Sequence, residues 1–277
     1  MRSPVAATHL TLIAGLAVGL AAPARASEDE AERAARWSDL RHVVFGDRAV
    51  TDGSGRIVLE APTRALDAAT VPIDVTLPQG AGSGDDRVTA IYVLVDGNPS
   101  PVAGAFHFGP DGDPRILKMR VRVDQYTLIH AVAETQGGAL FATESYVKAA
   151  GGCSAPSSKD AVVAMSRLGQ MRFRLDGDAP LVPGLTTMAS LQISHPNNNG
   201  MQVDQLSHNF IPARYIQSVT VRYGNDMVLT IDADISLSED PVITFGLVPH
   251  GAGPLQVEMQ DSTRANFHQS FPLADHG

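Results

Sequence analysis

Cysteine, positive charge and aromatic residues are all scarce in this sequence. One cysteine among 277 residues excludes an internal disulfide, a Cys-x-x-Cys redox pair, a Cys-x-x-Cys-His haem site and a cysteine-rich zinc site. Because 21 Lys and Arg residues stand against 30 Asp and Glu residues, the chain lacks the basic clusters that neutralise nucleic-acid phosphates. The 1 Trp, 5 Tyr and 9 Phe residues argue against an aromatic-lined platform for glycans.

Long apolar runs are also rare, and the longest one lies near the N-terminus. Arg2 precedes the apolar run Leu10–Ala22, and Ala24-Arg25-Ala26 follows it as a small-x-small site. This order predicts a signal peptide over residues 1–26, cleavage after Ala26 and a periplasmic protein without a membrane anchor. A transmembrane anchor is the alternative, but the run is short for a bilayer core of about 30 Å.

After the predicted signal, the pattern indicates one helix and then many short strands. Ser27-Glu28-Asp29-Glu30 is a capping box, and it predicts a short amphipathic helix to about Arg41. Runs rich in β-branched and aromatic residues then alternate with turn-forming residues, as in an antiparallel sandwich. The predicted strands are Arg56–Glu60, Ile73–Thr76, Val88–Asp96, Ala103–Phe108, Ile116–Val123, Tyr126–Glu134, Ala139–Val147, Met171–Leu175, Thr186–Ser194, Ile216–Tyr223, Met227–Ile235, Pro241–Val248 and Gln256–Asp261.

The single cysteine lies between the two strand-rich segments. Cys153 follows Gly151 and Gly152 in a stretch of small residues with the composition of a linker. Free cysteines are usually buried, but no flanking residue is large enough to cover this sulfur. We therefore expect an exposed thiol with a pKa near 8.5, lowered slightly by Lys148 and Lys159. Because a flexible tether cannot hold a catalytic base in place, it suits a covalent carrier better than a fixed enzyme nucleophile.

Several stretches resemble the SoxY and SoxZ subunits of the sulfur-oxidation carrier. The SoxY-like stretches are Val71-Pro72-Ile73, Asn98–Ala103, Tyr126–Glu134 and Val147–Cys153. The SoxZ-like stretches are His195-Pro196 with Gly200, Ile211–Ile216 and Ser236–Phe245. With both blocks in one chain, the order is similar to that of the quinoprotein dehydrogenase-associated SoxYZ-like carriers. The predicted helix with Trp37 and the stretch Phe45–Arg48 fit that subgroup.

The resemblance implies that Cys153 carries sulfur intermediates between periplasmic enzymes, with Gly151 and Gly152 as hinges of its arm. In the family this thiol lies in a Gly-Gly-Cys-Gly-Gly arm at a free C-terminus. Here Ser154-Ala155-Pro156 follows the cysteine, and the arm is internal. Because Cys153 is five residues from Lys148, the thiol can reach at most about 17 Å from that anchor.

We therefore predict an all-β protein of two immunoglobulin-like antiparallel sandwiches, joined by a flexible cysteine-bearing arm and preceded by a short helix. A further short helix is expected at Asp160–Leu168. The predicted divisions are a signal peptide at 1–26, a SoxY-like sandwich with its helix at 27–148, the arm and linker at 149–160, and a SoxZ-like sandwich at 161–277.

The predicted function is covalent carriage of a sulfur compound on Cys153, and the chain itself is not a catalyst. No cofactor is expected besides the covalent adduct. The expected partners are periplasmic enzymes of sulfur or quinoprotein dehydrogenase pathways, and the SoxY-like and SoxZ-like parts contact each other within the chain. Neither nucleic acid nor a membrane anchor is expected. Two alternatives stay open: a non-covalent adapter for an exported quinoprotein dehydrogenase, and a thiol enzyme.

Metal and hydrolase sites find little support. Six of the seven histidines outside the signal and tail are scattered along strands and turns, without His-x-His or His-Glu-x-x-His spacing, and a copper site needs a more rigid frame than this arm. Asp96-Gly97-Asn98 and Asp111-Gly112-Asp113 are fragments of calcium loops that turns explain equally well. His195–Gly200 is predicted to be a turn, with packing near the arm as its functional alternative. The six histidines are His107, His130, His195, His208, His250 and His268.

Overall fold

A computed structural model of the chain describes residues 22–156, 161–177, 181–205, 207–250 and 253–273. Residues 1–21, which hold most of the predicted signal, lie outside this range. Residues 22–26 belong to the first helix, which runs from Ala22 to Phe45. Gly46 ends this helix with a left-handed φ of 65°, and its N–H donates to the carbonyl of His42 at 2.9 Å. That contact is the usual glycine cap.

The rest of the described chain is almost entirely β. A second helix, α2, spans Ala161–Ser166, within the stretch where a short helix is predicted. The strands are β1 (Val50–Asp52), β2 (Val58–Glu60), β3 (Val71–Thr76), β4 (Val88–Val95), β5 (Val102–Phe108), β6 (Gly112–Val121), β7 (Thr127–Thr135), β8 (Leu140–Val147), β9 (Met171–Leu175), β10 (Thr187–Ile193), β11 (Ile216–Tyr223), β12 (Asp226–Ala233), β13 (Val242–Leu247), β14 (Leu255–Asp261) and β15 (Asn266–Phe271).

These strands form two sheets, and each sheet continues from the first segment into the second. The nine-stranded sheet has the order β1-β8-β7-β4-β5-β12-β11-β14-β15, and the six-stranded sheet has the order β2-β3-β6-β13-β10-β9. Antiparallel β5 and β12 join the segments in the larger sheet, with Phe106 opposite Ile231. Antiparallel β6 and β13 join them in the smaller sheet, with Leu117 opposite Phe245.

One apolar core fills the space between the two sheets. Alternating residues of β3, β6, β10 and β13 face the partner sheet, as a period of two requires. The core is continuous between the segments, because buried side chains from both belong to a single cluster. Its largest fully buried apolar residues include Ile91, Phe106, Leu117, Leu191 and Phe245.

The first helix, α1, covers the outer face of the larger sheet. Leu40 and Phe45 pack there against Leu94, Val132 and Leu140 in a second, smaller cluster. The only tryptophan of the chain, Trp37, also lies on this face and belongs to the rim of the cluster.

The predicted all-β sandwich fold with an N-terminal helix is confirmed. The helix is longer than expected, because it begins before Ser27 and continues past Arg41 to Phe45. Two strands were not predicted: β1, which has only 3 residues, and β15 at the edge of the larger sheet. The sequence pattern also did not reveal that the two segments share their sheets. The proposed domain boundaries stay predictions.

Candidate functional site at Cys153

Cys153 lies in a tight turn just after the last strand of the first segment. Gly151 adopts a left-handed φ of 79° there, a conformation that favours glycine. The N–H of Ala155 donates to the carbonyl of Gly151 at 3.0 Å, and the hydroxyl of Ser154 donates to the same carbonyl at 3.3 Å. The turn therefore reverses the chain around Cys153.

The residues before the cysteine pair with the segment that follows β6. The Gly151 N–H donates to the carbonyl of Asp124 at 2.8 Å, and the Gly152 N–H donates to the carbonyl of Val123 at 2.9 Å. A Cβ atom on Gly152 would lie 2.1 Å from the Ala68 carbonyl oxygen and 2.7 Å from the Val123 carbonyl oxygen. Only glycine fits at this position while the arm keeps its place.

Two side chains clamp the arm from opposite segments. On the side of the first segment, the Arg122 guanidinium donates through Nη1 to the Gly152 carbonyl at 3.2 Å. On the side of the second segment, the Asn199 amide donates through Nδ2 to the Cys153 carbonyl at 2.6 Å. Arg122 also donates through Nη2 to the carbonyl of Asn197 at 3.4 Å. The arm is thus fixed at the junction of the two segments.

The thiol itself is fully buried, with 0% of Cys153 exposed. Burial raises the pKa of the thiol to about 11, and the nearby Asp124 carboxylate adds to the rise, whereas the Arg122 guanidinium lowers it. The expectation of an exposed thiol with an ordinary pKa is therefore wrong for this conformation. The flanking residues are indeed small, but Arg122 and Asn199, which are distant in sequence, pack against the backbone of Gly152 and Cys153. Lys159 lies outside the described residues.

The clamp belongs to a wider buried network of polar groups between the segments. The Asn98 amide donates to the Arg122 carbonyl at 2.7 Å and to the Ser236 hydroxyl at 2.8 Å. Its oxygen accepts from the N–H of Asp124 at 2.9 Å. The Ser238 hydroxyl donates to the carbonyl of Ala69 at 2.8 Å. Because each bond joins residues distant in sequence, the network fixes the frame that holds the arm.

The loop after β10 is ordered by its own buried groups. Asn197 adopts a left-handed φ of 44°, its amide donates to the Ser238 carbonyl at 2.9 Å, and its oxygen accepts from the Ile216 N–H at 3.0 Å. The turn predicted at His195–Gly200 therefore also packs near the arm, as its functional alternative proposed. The packing follows from Asn199, which reaches the Cys153 carbonyl.

His195 is fully buried at the start of this loop. Its Nδ1 accepts the Asn197 N–H at 3.0 Å, and its Nε2 lies 3.7 Å from the Asp261 carboxylate. Burial lowers the pKa of His195, although the Asp261 carboxylate opposes this shift. Asp261 also accepts a hydrogen bond from Arg214 Nε at 2.7 Å. These contacts anchor both ends of the loop to the second segment.

Two donors beside the arm lack a hydrogen-bond partner in the part of the chain that the structure describes. Arg122 Nε and Gln202 Nε2 are buried and form no hydrogen bond, and the two residues are 1% and 0% exposed. The other end of Gln202 is satisfied, because its Oε1 accepts the Asn199 N–H at 2.9 Å. Gln202 is therefore one hydrogen-bonded residue away from Cys153, and Arg122 contacts the arm directly.

Cys153, Gly151 and Gly152 stay the site residues that the sequence predicts, and the sequence did not indicate the residues that hold them in the structure. From Met119 to Val123 apolar and charged residues alternate, which predicts that both arginines lie on a solvent-exposed face of the strand. Arg120 is indeed exposed, whereas Arg122 is buried because β6 ends at Val121 and the arm covers the next residue. Asn199 and Gln202 carry no sequence signal beyond a polar turn.

The fragments of calcium loops serve in contacts within the protein. The Asp111 carboxylate lies 2.6 Å from His250 Nδ1, and Asp113 pairs with Arg115 at 2.7 Å. Asp96 lies 2.9 Å from His130 Nδ1. In the described part of the chain, no group of three or more His, Cys, Asp or Glu side chains is arranged to hold a metal ion. Among the same residues no helix is long and apolar enough to span a membrane.

Comparisons with known proteins match both segments of the chain. The family model "Sulfur oxidation protein SoxY" matches residues 41–153, and the family model "Sulphur oxidation protein SoxZ" matches residues 179–272. Together the two matches cover most of the chain. The first of them ends on Cys153. No curated protein sequence matches the chain.

Solved structures give weaker similarities. The sulfur carrier protein SoxY from Chlorobium limicola f thiosulfatophilum is 23% identical, covers 44% of this chain and 99% of its own, and has a TM-score of 0.37. A beta-glycosidase from Bacteroides vulgatus is 10% identical over 78% of this chain and 24% of its own, with a TM-score of 0.23. A glycosyl hydrolase family 2 member from Bacteroides cellulosilyticus DSM 14838 is 10% identical over 84% of this chain and 30% of its own, with a TM-score of 0.21.

Proposed function

The chain belongs to the SoxY and SoxZ families of sulfur-oxidation proteins, fused in tandem, and from this we propose that it carries a sulfur compound covalently on Cys153. The proposal rests on the position of Cys153 in the sequence and in the fold. Cys153 is the only cysteine of the chain, it ends the SoxY match, and side chains of both segments hold its backbone. A carrier thiol needs such a defined resting position between its reactions with partner enzymes.

The proposed chemistry needs a partner enzyme. Forming a disulfide-type bond between Sγ and a cargo sulfur removes two electrons and the thiol proton. A partner oxidoreductase takes the two electrons, and the proton passes to solvent. Because the buried thiol has a pKa of about 11, little reactive thiolate forms in the closed conformation. The cycle therefore includes an open conformation in which the arm leaves its clamp.

The location and the partners are further parts of this proposal. The predicted signal peptide over residues 1–26 supports export to the periplasm, and sequencing the N-terminus of the mature protein tests cleavage after Ala26. A mature chain whose first residue is not Ser27 contradicts it. The order of the blocks, similar to carriers associated with quinoprotein dehydrogenases, supports a partner from that class or from sulfur oxidation.

The intact mass of the protein from its native compartment tests carriage directly. We expect a mass increment that reductant removes and that maps to Cys153. The variant Cys153→Ser should keep the fold and lose both the increment and the function. A thiol that is free of any adduct under all growth conditions would overturn the proposal.

A second function, a non-covalent adapter for an exported dehydrogenase, is favoured by one observation. Cys153 is fully buried and its pKa is raised, as for a cysteine that only packs. An adapter with the Cys153→Ser substitution keeps its fold and its function, whereas a carrier keeps only its fold. The same variant therefore decides between the two functions.

A further inference from the structure

We propose that Arg122 and Gln202 bind the anionic end of the group that Cys153 carries. This inference rests on the proposed function and assigns the residues that select the cargo. The ligand class is a short adduct that ends in an oxyanion, such as a sulfonate.

The first argument concerns two hydrogen-bond donors in the side chains that hold the arm. Arg122 Nε and Gln202 Nε2 are both buried donors that have no hydrogen-bond partner among the described residues. Buried polar groups in native proteins are almost always paired, so each unpaired donor needs an explanation. Both belong to residues that hold the arm, Arg122 directly and Gln202 through Asn199. A ligand with oxygen acceptors at Cys153 would supply the missing partners.

The second argument is charge. Arg122 is 1% exposed, and among the described residues its hydrogen bonds go only to the peptide carbonyls of Gly152 and Asn197. A buried cation without an ion-paired anion is costly. Burial lowers the pKa of Arg122, and the Glu239 carboxylate, the Cys153 sulfur in its thiolate form and the Asp67 carboxylate offset only part of that shift. An anion on the arm would neutralise this guanidinium.

The free thiol does not provide that anion, because its pKa of about 11 keeps it protonated at neutral pH. Asp124 repels an anion at this place, but its side chain is only half-buried and is screened by water. The guanidinium is fully enclosed and acts more strongly. Its planar fork of N–H groups also fits an oxyanion well. The unloaded site therefore contains a positive charge, and its anionic partner is absent until Cys153 is loaded.

Three methanethiosulfonate probes of similar size test the charge preference without any partner enzyme. They transfer a sulfonatoethyl (anionic), a trimethylammonioethyl (cationic) or a propyl (neutral) thio group. The Cys153 thiolate attacks the sulfur that bears this group, a disulfide bond forms, methanesulfinate leaves with the electron pair of the broken bond, and the thiol proton passes to the buffer. Intact mass confirms complete loading of the full chain.

The expected result is an order of stability among the three adducts. The anionic adduct should have the highest Tm and resist a neutral reductant at least about 10-fold longer than the neutral adduct, and the cationic adduct should be the least stable of the three. In Arg122→Met and in Gln202→Leu this advantage of the anionic adduct should shrink or vanish. Arg120→Met is the matched control, because it removes an exposed arginine two residues earlier and should leave the order unchanged.

Equal Tm values and equal reduction rates for the three wild-type adducts would overturn the inference, as would an order that both variants preserve. Should Arg122→Met fail to fold, Gln202→Leu decides alone. The test is separate from that of the proposed function, because the probes load the thiol chemically. An adduct on native Cys153 together with no charge preference would refute only the assignment of Arg122 and Gln202.

Discussion

The reactivity of Cys153 is governed by how closely the backbone packs at the residue before it. Gly152 lies against the carbonyl oxygens of Ala68 and Val123, with no room for a methyl group. At the same time the Arg122 and Asn199 side chains hold the carbonyls of residues 152 and 153. The glycine pair therefore has two distinct functions in the closed conformation: Gly151 forms the turn, and Gly152 allows the close approach.

Substituting Gly152 with alanine should expel the arm and expose the thiol. In the wild type, the rate of alkylation should stay low at neutral pH and rise until pH about 11, because the buried thiol ionises only there. A pKa raised from 9.0 to about 11 means roughly 100-fold less thiolate at pH 7. Gly152→Ala should therefore react on the order of 100-fold faster at pH 7, with its rate levelling off near an ordinary thiol pKa.

Gly177→Ala is the control for this experiment, because nothing lies within 4 Å of a Cβ added there, and the strain from its left-handed φ of 87° falls away from the arm. It should leave the alkylation profile as in the wild type. The pH dependence of stability has a defined sign as well. Because folding raises the pKa of the thiol, its contribution to stability is present below pH 9 and is lost as the pH rises toward 11. A wild-type alkylation profile that levels off near pH 9 would contradict the closed site.

At the scale of the element, helix α1 packs on the sheet through a stacked pair of rings in addition to the apolar contacts of Leu40 and Phe45. The Trp37 ring lies 3.7 Å from the His130 ring at an angle of 4°. His130 Nδ1 lies 2.9 Å from an Asp96 oxygen, and His130 Nε2 lies 2.9 Å from a Glu144 oxygen. The helix thus covers the buried contact between His130 and Asp96 as well as an apolar cluster.

Replacing His130 with alanine should loosen α1, and Trp37 reports it because the chain has no other tryptophan. We expect a red shift and stronger emission, since the indole gains water and loses its stacked ring. Stability should fall by about 3–5 kcal/mol, because Asp96 keeps a buried charge without its partner. Tyr92→Phe is the control: the Tyr92 ring lies under the same helix but packs edge-on against Phe45, whereas Trp37 stacks on His130, so the emission should stay unchanged. Unchanged emission in His130→Ala would show that the stack does not hold the helix.

The elements themselves could be predicted where hydrophobic alternation is strong, as in β6 and β11. Strand β1 has 3 residues and gives no periodic signal. In β15 every second residue is exposed and the others are only half-buried, so apolar residues do not mark it clearly. Cys153 and its glycines stand out because of their composition. Arg122, Asn199 and Gln202 do not, because their roles depend on contacts between residues distant in sequence, which local patterns do not encode.

At the scale of the whole molecule, the two segments share two sheets and one core. Separating them would expose the paired edges of β5 and β6 on one side and of β12 and β13 on the other. Unpaired edges and an opened core are both costly. The fused chain keeps each segment at a high effective concentration for the other, so we expect a single cooperative unfolding transition.

A protease site placed between Ser157 and Ser158 tests this architecture and the arm together. After cleavage the two fragments should still elute as one complex, held by the shared sheets, with a Tm that now depends on protein concentration. The arm then ends in a free C-terminus. Because the second tether is lost while the clamp of Arg122 and Asn199 is kept, alkylation of Cys153 should become faster but stay slower than in Gly152→Ala. The uncut chain with the same inserted site is the control. Fragments that elute apart, each with its own unfolding transition, would show that the segments are independent sandwiches and that the arm alone joins them.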